Sequence, residues 1–201
     1  MSFLNLREKI VQVKIVYYGP GRGGKTTNLE YINRTYRKQL MSEMVSLKTH
    51  GDRTLFFDFL PFDMGKIKGY DLKIQLYTVP GQAKYNATRK LVLRGVDGIV
   101  FVADAMEKQR EKNIRSLNQL HENLQSYNES IFHIPLVLQY NKVDLKEYGI
   151  PILPTEILQK DLNSRLQVPY YEASAITGYN VPETLKKIIA STVVSIQKKL
   201  L

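Results

Sequence analysis

The sequence predicts an α/β domain: a six-stranded, mostly parallel sheet with helices on both faces and one antiparallel strand at its edge. Three observations carry this reading. Apolar runs of strand length alternate with helix-period patterns, the arrangement of parallel strands joined by crossover helices. The segment Gly19-Pro20-Gly21-Arg22-Gly23-Gly24-Lys25-Thr26 separates a strong strand at 11–18 from a helix expected between 27 and about 40. Runs 55–62 and 72–79 flank Asp63-Met64-Gly65-Lys66-Ile67-Lys68-Gly69-Tyr70, a hairpin-like connection that reverses one strand.

The elements follow in order. Val11-Gln12-Val13-Lys14-Ile15-Val16-Tyr17-Tyr18 is β-branched and aromatic throughout. Leu29, Ile32, Tyr36 and Leu40 then fall near helical spacing. Runs 97–104 and 134–140 are apolar enough for buried strands, and 169–173 is a shorter one. Helices are expected at 88–93, 107–126, 155–166 and 183–199. The last carries Leu185, Ile188, Ile189, Val193 and Ile196 on one stripe, which reads as core packing. With no internal repeat, low-complexity stretch or linker, residues 1–201 are expected to form one domain.

Composition bounds the chemistry. There is no cysteine, which excludes disulfides, thiolate metal sites, cysteine nucleophiles and prenyl or palmitoyl anchors. Ser2 stands where N-myristoylation needs glycine, the opening residues lack a signal peptide's apolar core, and no apolar stretch is long enough to span a bilayer. A cytoplasmic protein is expected. The net charge of +10 is spread along the chain rather than gathered in a block. No nucleic-acid module is visible, and a weak, salt-sensitive peripheral membrane contact is the most that charge alone supports.

The glycine-rich segment is a complete G-x-x-x-x-G-K-[ST] phosphate loop between a strand and a helix. Gly19, Gly21, Gly23 and Gly24, with Arg22 among them, let backbone N–H groups point at an anion, and the following helix start, through Thr27, adds its dipole. Lys25 is placed to reach the β- and γ-phosphates, and the Thr26 hydroxyl to ligate Mg²⁺. Asn141-Lys142-Val143-Asp144 directly follows a strand. The Asp144 carboxylate can accept from the N1–H and N2–H₂ of guanine, which adenine lacks. Asn141 can touch the base edge or brace the phosphate loop, and the Lys142 stem can lie on the ring. Ala173-Ser174-Ala175 follows the next strand, so a backbone N–H near Ser174 and Ala175 can donate to guanine O6. A guanine triphosphate ligand is expected.

These pieces, in this order and over almost the whole chain, resemble the Ras-like small GTPases. More closely the chain resembles the MglA-type bacterial branch, through Tyr17-Tyr18-Gly19-Pro20-Gly21, Asp52-Arg53-Thr54-Leu55-Phe56-Phe57-Asp58-Phe59-Leu60-Pro61, Tyr77-Thr78-Val79-Pro80-Gly81-Gln82 and Gly95-Val96-Asp97-Gly98. The resemblance implies the Ras-like P-loop fold and a GTP/GDP switch with Mg²⁺ that sets bacterial cell polarity and surface motility. It implies localisation in the cytoplasm with concentration at a pole, polarity or motility effectors on the GTP form, and an activator of the roadblock-domain, MglB type. Gln82 matches the water-positioning glutamine, with Gly81 before it letting a backbone N–H approach the γ-phosphate. Thr54 matches the threonine that joins Mg²⁺ only in the triphosphate state. Thr78 departs from the superfamily, which carries an aspartate there to hold a Mg²⁺-bound water; looser Mg²⁺ binding is expected.

Arg53, beside Thr54, is expected to act as an arginine finger in cis when a partner reshapes its loop. Segments 53–60 and 78–90 are the expected switches. The run 55–62 is apolar on both faces, so Phe56, Leu60 or their neighbours are candidates for a partner surface. The mid-strand Asp58 calls for a cationic partner that the sequence does not identify. Two other readings stand beside the hydrolytic switch: a GTP-gated scaffold with negligible hydrolysis, suggested by Thr78, and a P-loop ATPase or nucleotide kinase, which Asn141–Asp144 and Ser174-Ala175 weaken.

Overall fold

The structure, a computed structural model, describes residues 3–5, 8–49, 53–67, 69–81 and 85–199; at 3–5, 46–49, 53–57, 64, 67 and 199 the description is of the backbone. Among these residues the strands are β1 (Phe3–Asn5), β2 (Ile10–Tyr18), β3 (Val45–Thr49), β4 (Arg53–Ile67), β5 (Tyr70–Thr78), β6 (Gly98–Asp104), β7 (Leu136–Asn141) and β8 (Tyr170–Ala173). The helices are α1 (Lys25–Thr35), α2 (Asn86–Leu93), α3 (Arg110–Gln125), α4 (Thr155–Leu162) and α5 (Val181–Lys199). The strands form one sheet in the order β3-β4-β5-β2-β6-β7-β8, with β1 paired to β2.

The expected architecture is present: β5, β2, β6, β7 and β8 are mutually parallel, and β4 runs antiparallel to β5. The sheet has eight strands rather than six. The short β1 adds antiparallel to β2, and β3 adds antiparallel to the outer side of β4. β4 is therefore not the edge strand. The hairpin is also tighter than expected, because β4 continues to Ile67 through a register shift between Asp63 and Lys66, where Gly65 takes φ 76°.

Two apolar layers hold the helices. Ile15 and Tyr17 of β2, with Leu60, Ile74 and Leu76, pack under Leu29 and Ile32 of α1 and Leu185 and Ile188 of α5. Val16 and Tyr18 face the other way, with Phe101, Leu138 and Tyr140, under Leu93, Leu120, Leu124 and Leu158. The alternation along β2 is the strand period made visible, and burying both faces is what a parallel sheet requires. Leu60 is fully buried in the first layer, which removes it from the candidate partner surface. The side chain of Phe56 lies outside the described residues.

Helix ends differ from the periodicity where side chains find better partners. α1 stops at Thr35 because Tyr36 turns to pack edge-on against Phe62, and Leu40 bridges to Phe62 instead of continuing the stripe. α4 stops at Leu162 because the Asn163 amide closes the loop to β8, donating to the Val168 carbonyl and accepting from its N–H, both at 2.9 Å. Among the described residues no helix is long and apolar enough to cross a membrane.

Candidate functional site

The predicted site residues of the phosphate loop, of Asn141–Asp144 and of Ser174-Ala175 gather at the C-terminal edge of the parallel strands, where this sheet architecture binds its ligands. The phosphate loop leaves β2 and enters α1. Gly24 caps the helix at φ 96°, and a Cβ there would strike the Asn141 amide, so both conformation and space demand glycine. Lys25 is buried and donates through Nζ to the carbonyls of Gly19 at 3.1 Å and Pro20 at 2.8 Å. Burial pushes its pKa down to about 7, helped by the positive charges of Arg89 and Lys142 and opposed by Asp58. A site with this balance gains from an arriving polyanion, which supplies the counter-charge the lysine lacks.

Beside the loop lies a carboxylate that the sequence reading left out of the site. Asp58, on β4, is fully buried. Its Oδ2 accepts from the Thr26 hydroxyl at 2.6 Å and from the Thr78 hydroxyl at 2.8 Å. The Thr78 oxygen in turn accepts from the Asp58 backbone N–H at 2.9 Å. The acid missing from position 78 is thus replaced, at the same place, by one from the neighbouring strand. Its hydrogen bonds go to hydroxyls of the site, and its charge also acts on the Lys25 ammonium. The one signal available beforehand was its oddity, a charge inside an apolar strand.

These oxygens fit Mg²⁺. A hard cation that keeps several waters takes one hydroxyl from the protein, a carboxylate for its hydration shell, and the remaining oxygens from phosphate. Among the described residues no group of three or more His, Cys, Asp or Glu forms a cage by itself. Thr26 would be the direct protein ligand, and Asp58 with Thr78 would hold its water.

Asn141 braces the phosphate loop. Its Nδ2 donates to the Gly23 carbonyl and its Oδ1 accepts from the Ala175 N–H, each at 2.8 Å. It ties the phosphate loop to the segment after β8. The Ala175 N–H is therefore held by Asn141, and the Ser174 N–H donates to the Tyr179 carbonyl at 3.1 Å. Lys142, at φ 76°, sends Nζ to the buried Asp104 carboxylate at 2.6 Å. Asp104 is fixed by Asn113, which accepts from its N–H and donates to its carbonyl. The lysine stem is stretched between two anchors, the posture needed to cover a planar base. Asp104 and Asn113 were not singled out from sequence, although Asp104 does end an apolar strand at the site's edge. Asp144 sits in the first turn of a 3-10 segment, Val143–Tyr148, partly exposed.

The remaining positions divide. Gly81 lies against Gly21 and Pro20, with no room for a Cβ. Because β4 is antiparallel, its first residues, Arg53 and Thr54, lie at the site's edge of the sheet, opposite Thr49 and Lys48 of β3. Their side chains lie outside the described residues, as does the whole of Gln82.

Comparison with known proteins agrees with this geometry. Residues 14–194 match the family described as "Ras family". The chain is 46% identical over 198 residues to the "Mutual gliding-motility protein MglA" of Myxococcus xanthus (strain DK1622), covering 98% of this chain and 99% of that one. It is 24% identical to the Ras-related protein Rab-27B of Rattus norvegicus, over 88% of this chain and 78% of that one. With Rab7 of Drosophila melanogaster it shares 25% identity, over 92% and 82%. The chain belongs to the Ras family and is an MglA-type small GTPase.

Proposed function

We propose that this GTPase is a Mg²⁺-dependent switch that hydrolyses GTP slowly alone and faster with a roadblock-domain, MglB-type partner, and that it serves cell polarity and surface motility. The observation that carries the reading is the convergence of Thr26, Asp58 and Thr78 beside the phosphate loop. A carboxylate there speaks against a non-hydrolysing scaffold, since Asp58 would supply the acid absent at position 78. Thr26 and, in the triphosphate state, Thr54 would hold Mg²⁺; the bound cation would offset charge between the β- and γ-phosphates. Gln82 would orient the attacking water. Arg53, at the start of β4, would bring its guanidinium to the phosphates when a partner reshapes that strand. Asp144 would select guanine, with Lys142 beneath the ring. The motility assignment is carried over from the name of the Myxococcus relative.

The test is single-turnover hydrolysis of GTP by the purified protein with Mg²⁺, alone and with a candidate roadblock-domain partner, with ATP as competitor. Slow turnover raised by the partner and untouched by ATP is expected. Tight GTP binding with no turnover in either condition would instead establish the scaffold.

A further inference from the structure

Arg89 is the largest fully buried side chain of the described residues, only 1% exposed. It lies on α2, one helix away from the phosphate loop in sequence, and no carboxylate partners it among the described residues. Among the described residues every acceptor of its guanidinium is neutral. Nε donates to the Pro80 carbonyl at 2.9 Å and Nη2 to the Gly81 carbonyl at 2.7 Å. Nη1 donates to Gln119 Oε1 on α3 at 2.6 Å and reaches the Tyr18 hydroxyl at 3.4 Å. The guanidinium carbon stands 5.6 Å from the centre of the Tyr18 ring.

Burying a cation without a counter-charge is costly, and an apolar or neutral residue of similar size would fill the space more cheaply. What a guanidinium alone supplies is a rigid planar fork that can hold two adjacent carbonyls at once. Those two carbonyls belong to the corner between β5 and α2. Gly81 lies against Gly21 and Pro20 of the phosphate loop. The next residue in the chain is Gln82.

We propose that Arg89 is a positioning residue for GTP hydrolysis: its fork on the Pro80 and Gly81 carbonyls, backed by Gln119 of α3, holds the Pro80-Gly81 segment against the phosphate loop. This rests on the hydrolytic reading above. The role belongs to geometry rather than to charge alone, which separates Arg89→Lys from the native residue. Lysine keeps the charge and loses the fork.

The experiment measures single-turnover GTP hydrolysis and GTP and GDP dissociation constants for the wild type, Arg89→Lys and Gln119→Leu, each with the activating partner. For Arg89→Lys a hydrolysis rate lower by roughly 100-fold is expected, the scale of a misplaced corner, with both affinities within about threefold of wild type. Gln119→Leu leaves the two carbonyl bonds and removes their support, so a smaller loss, about fivefold, is expected with affinity retained. Wild-type rates in Arg89→Lys overturn the proposal. So does a parallel loss of binding and hydrolysis, which would mark Arg89 as fold support only. If Arg89→Lys does not fold, Gln119→Leu decides: slowed hydrolysis at retained affinity supports the proposal, and an unchanged rate overturns it. Absence of hydrolysis in the wild type is a different result. It would remove the hydrolytic reading itself, and this inference with it.

Discussion

The Asp58 carboxylate stands 2.6 Å from the Thr26 hydroxyl, joining the middle of β4 to the first turn of α1. Its companion bond to Thr78 makes this the point where two strands and the phosphate loop meet. Asp58→Asn keeps the shape and removes the charge. We expect the Mg²⁺ concentration needed to slow GDP release to rise by roughly 10–100-fold, the usual effect of losing an outer-shell partner. A Mg²⁺ titration of GDP release reads it; an unchanged midpoint would separate Asp58 from the metal.

Arg53 starts β4 at the same edge, and its proposed task is transition-state charge rather than binding. Arg53→Ala should lower partner-stimulated turnover by ~10³-fold while leaving GTP affinity near wild type. Stimulated turnover that survives in this variant would mean the partner brings its own cation.

Asn141 is a brace, so its loss should be felt by the fold and the ligand together. Asn141→Ala leaves the Gly23 carbonyl and the Ala175 N–H without their partner in a buried place, which lowers stability by about 2 kcal/mol. Guanine nucleotide affinity should fall with it. Thermal denaturation beside a nucleotide titration checks both, and a variant with normal stability and affinity would show that neither group depends on Asn141.

Lys25 makes nucleotide binding depend on pH. In the free protein its pKa is about 7, held down by burial, Arg89 and Lys142 against the pull of Asp58. A bound phosphate favours the charged form and raises that pKa. Binding at pH 8 must therefore take up close to one proton, and affinity should fall by up to about tenfold per pH unit above 7. Below 7 the lysine is already charged and this dependence vanishes. For the nucleotide-free fold the sign is opposite: the unfolded chain holds the extra proton between about 7 and 10.5, so stability rises with pH across that window. Calorimetry at pH 8 in two buffers of different ionisation heat counts the proton; zero uptake contradicts the picture.

The phosphate loop was legible because its chemistry is local. Backbone N–H groups within eight consecutive residues make the cradle, and glycine spacing alone permits it. The order of strands and helices was legible for the same reason, since periods of two and 3.6 report on neighbours in the chain. Strand count was less legible: β3 alternates, but with only Val45 and Leu47 apolar in five residues the run is too short to announce a strand.

Other features belong to the tertiary structure. Thr26 meets Asp58 across 32 residues, Lys142 meets Asp104 across 38, and Asn141 meets Gly23 across 118. The fork of Arg89 closes on a corner eight and nine residues upstream and on Gln119 of another helix. A composition or motif states which groups the chain owns. Which buried donor faces which acceptor depends on strand register and on the helix laid across it, and a shift of one residue would turn Asp58 to the opposite face of the sheet. The sequence by itself therefore determined that the chain carries a phosphate loop and a guanine-type motif, while only the packed sheet decided that a strand aspartate, Asp58, meets Thr26 and Thr78 beside that loop.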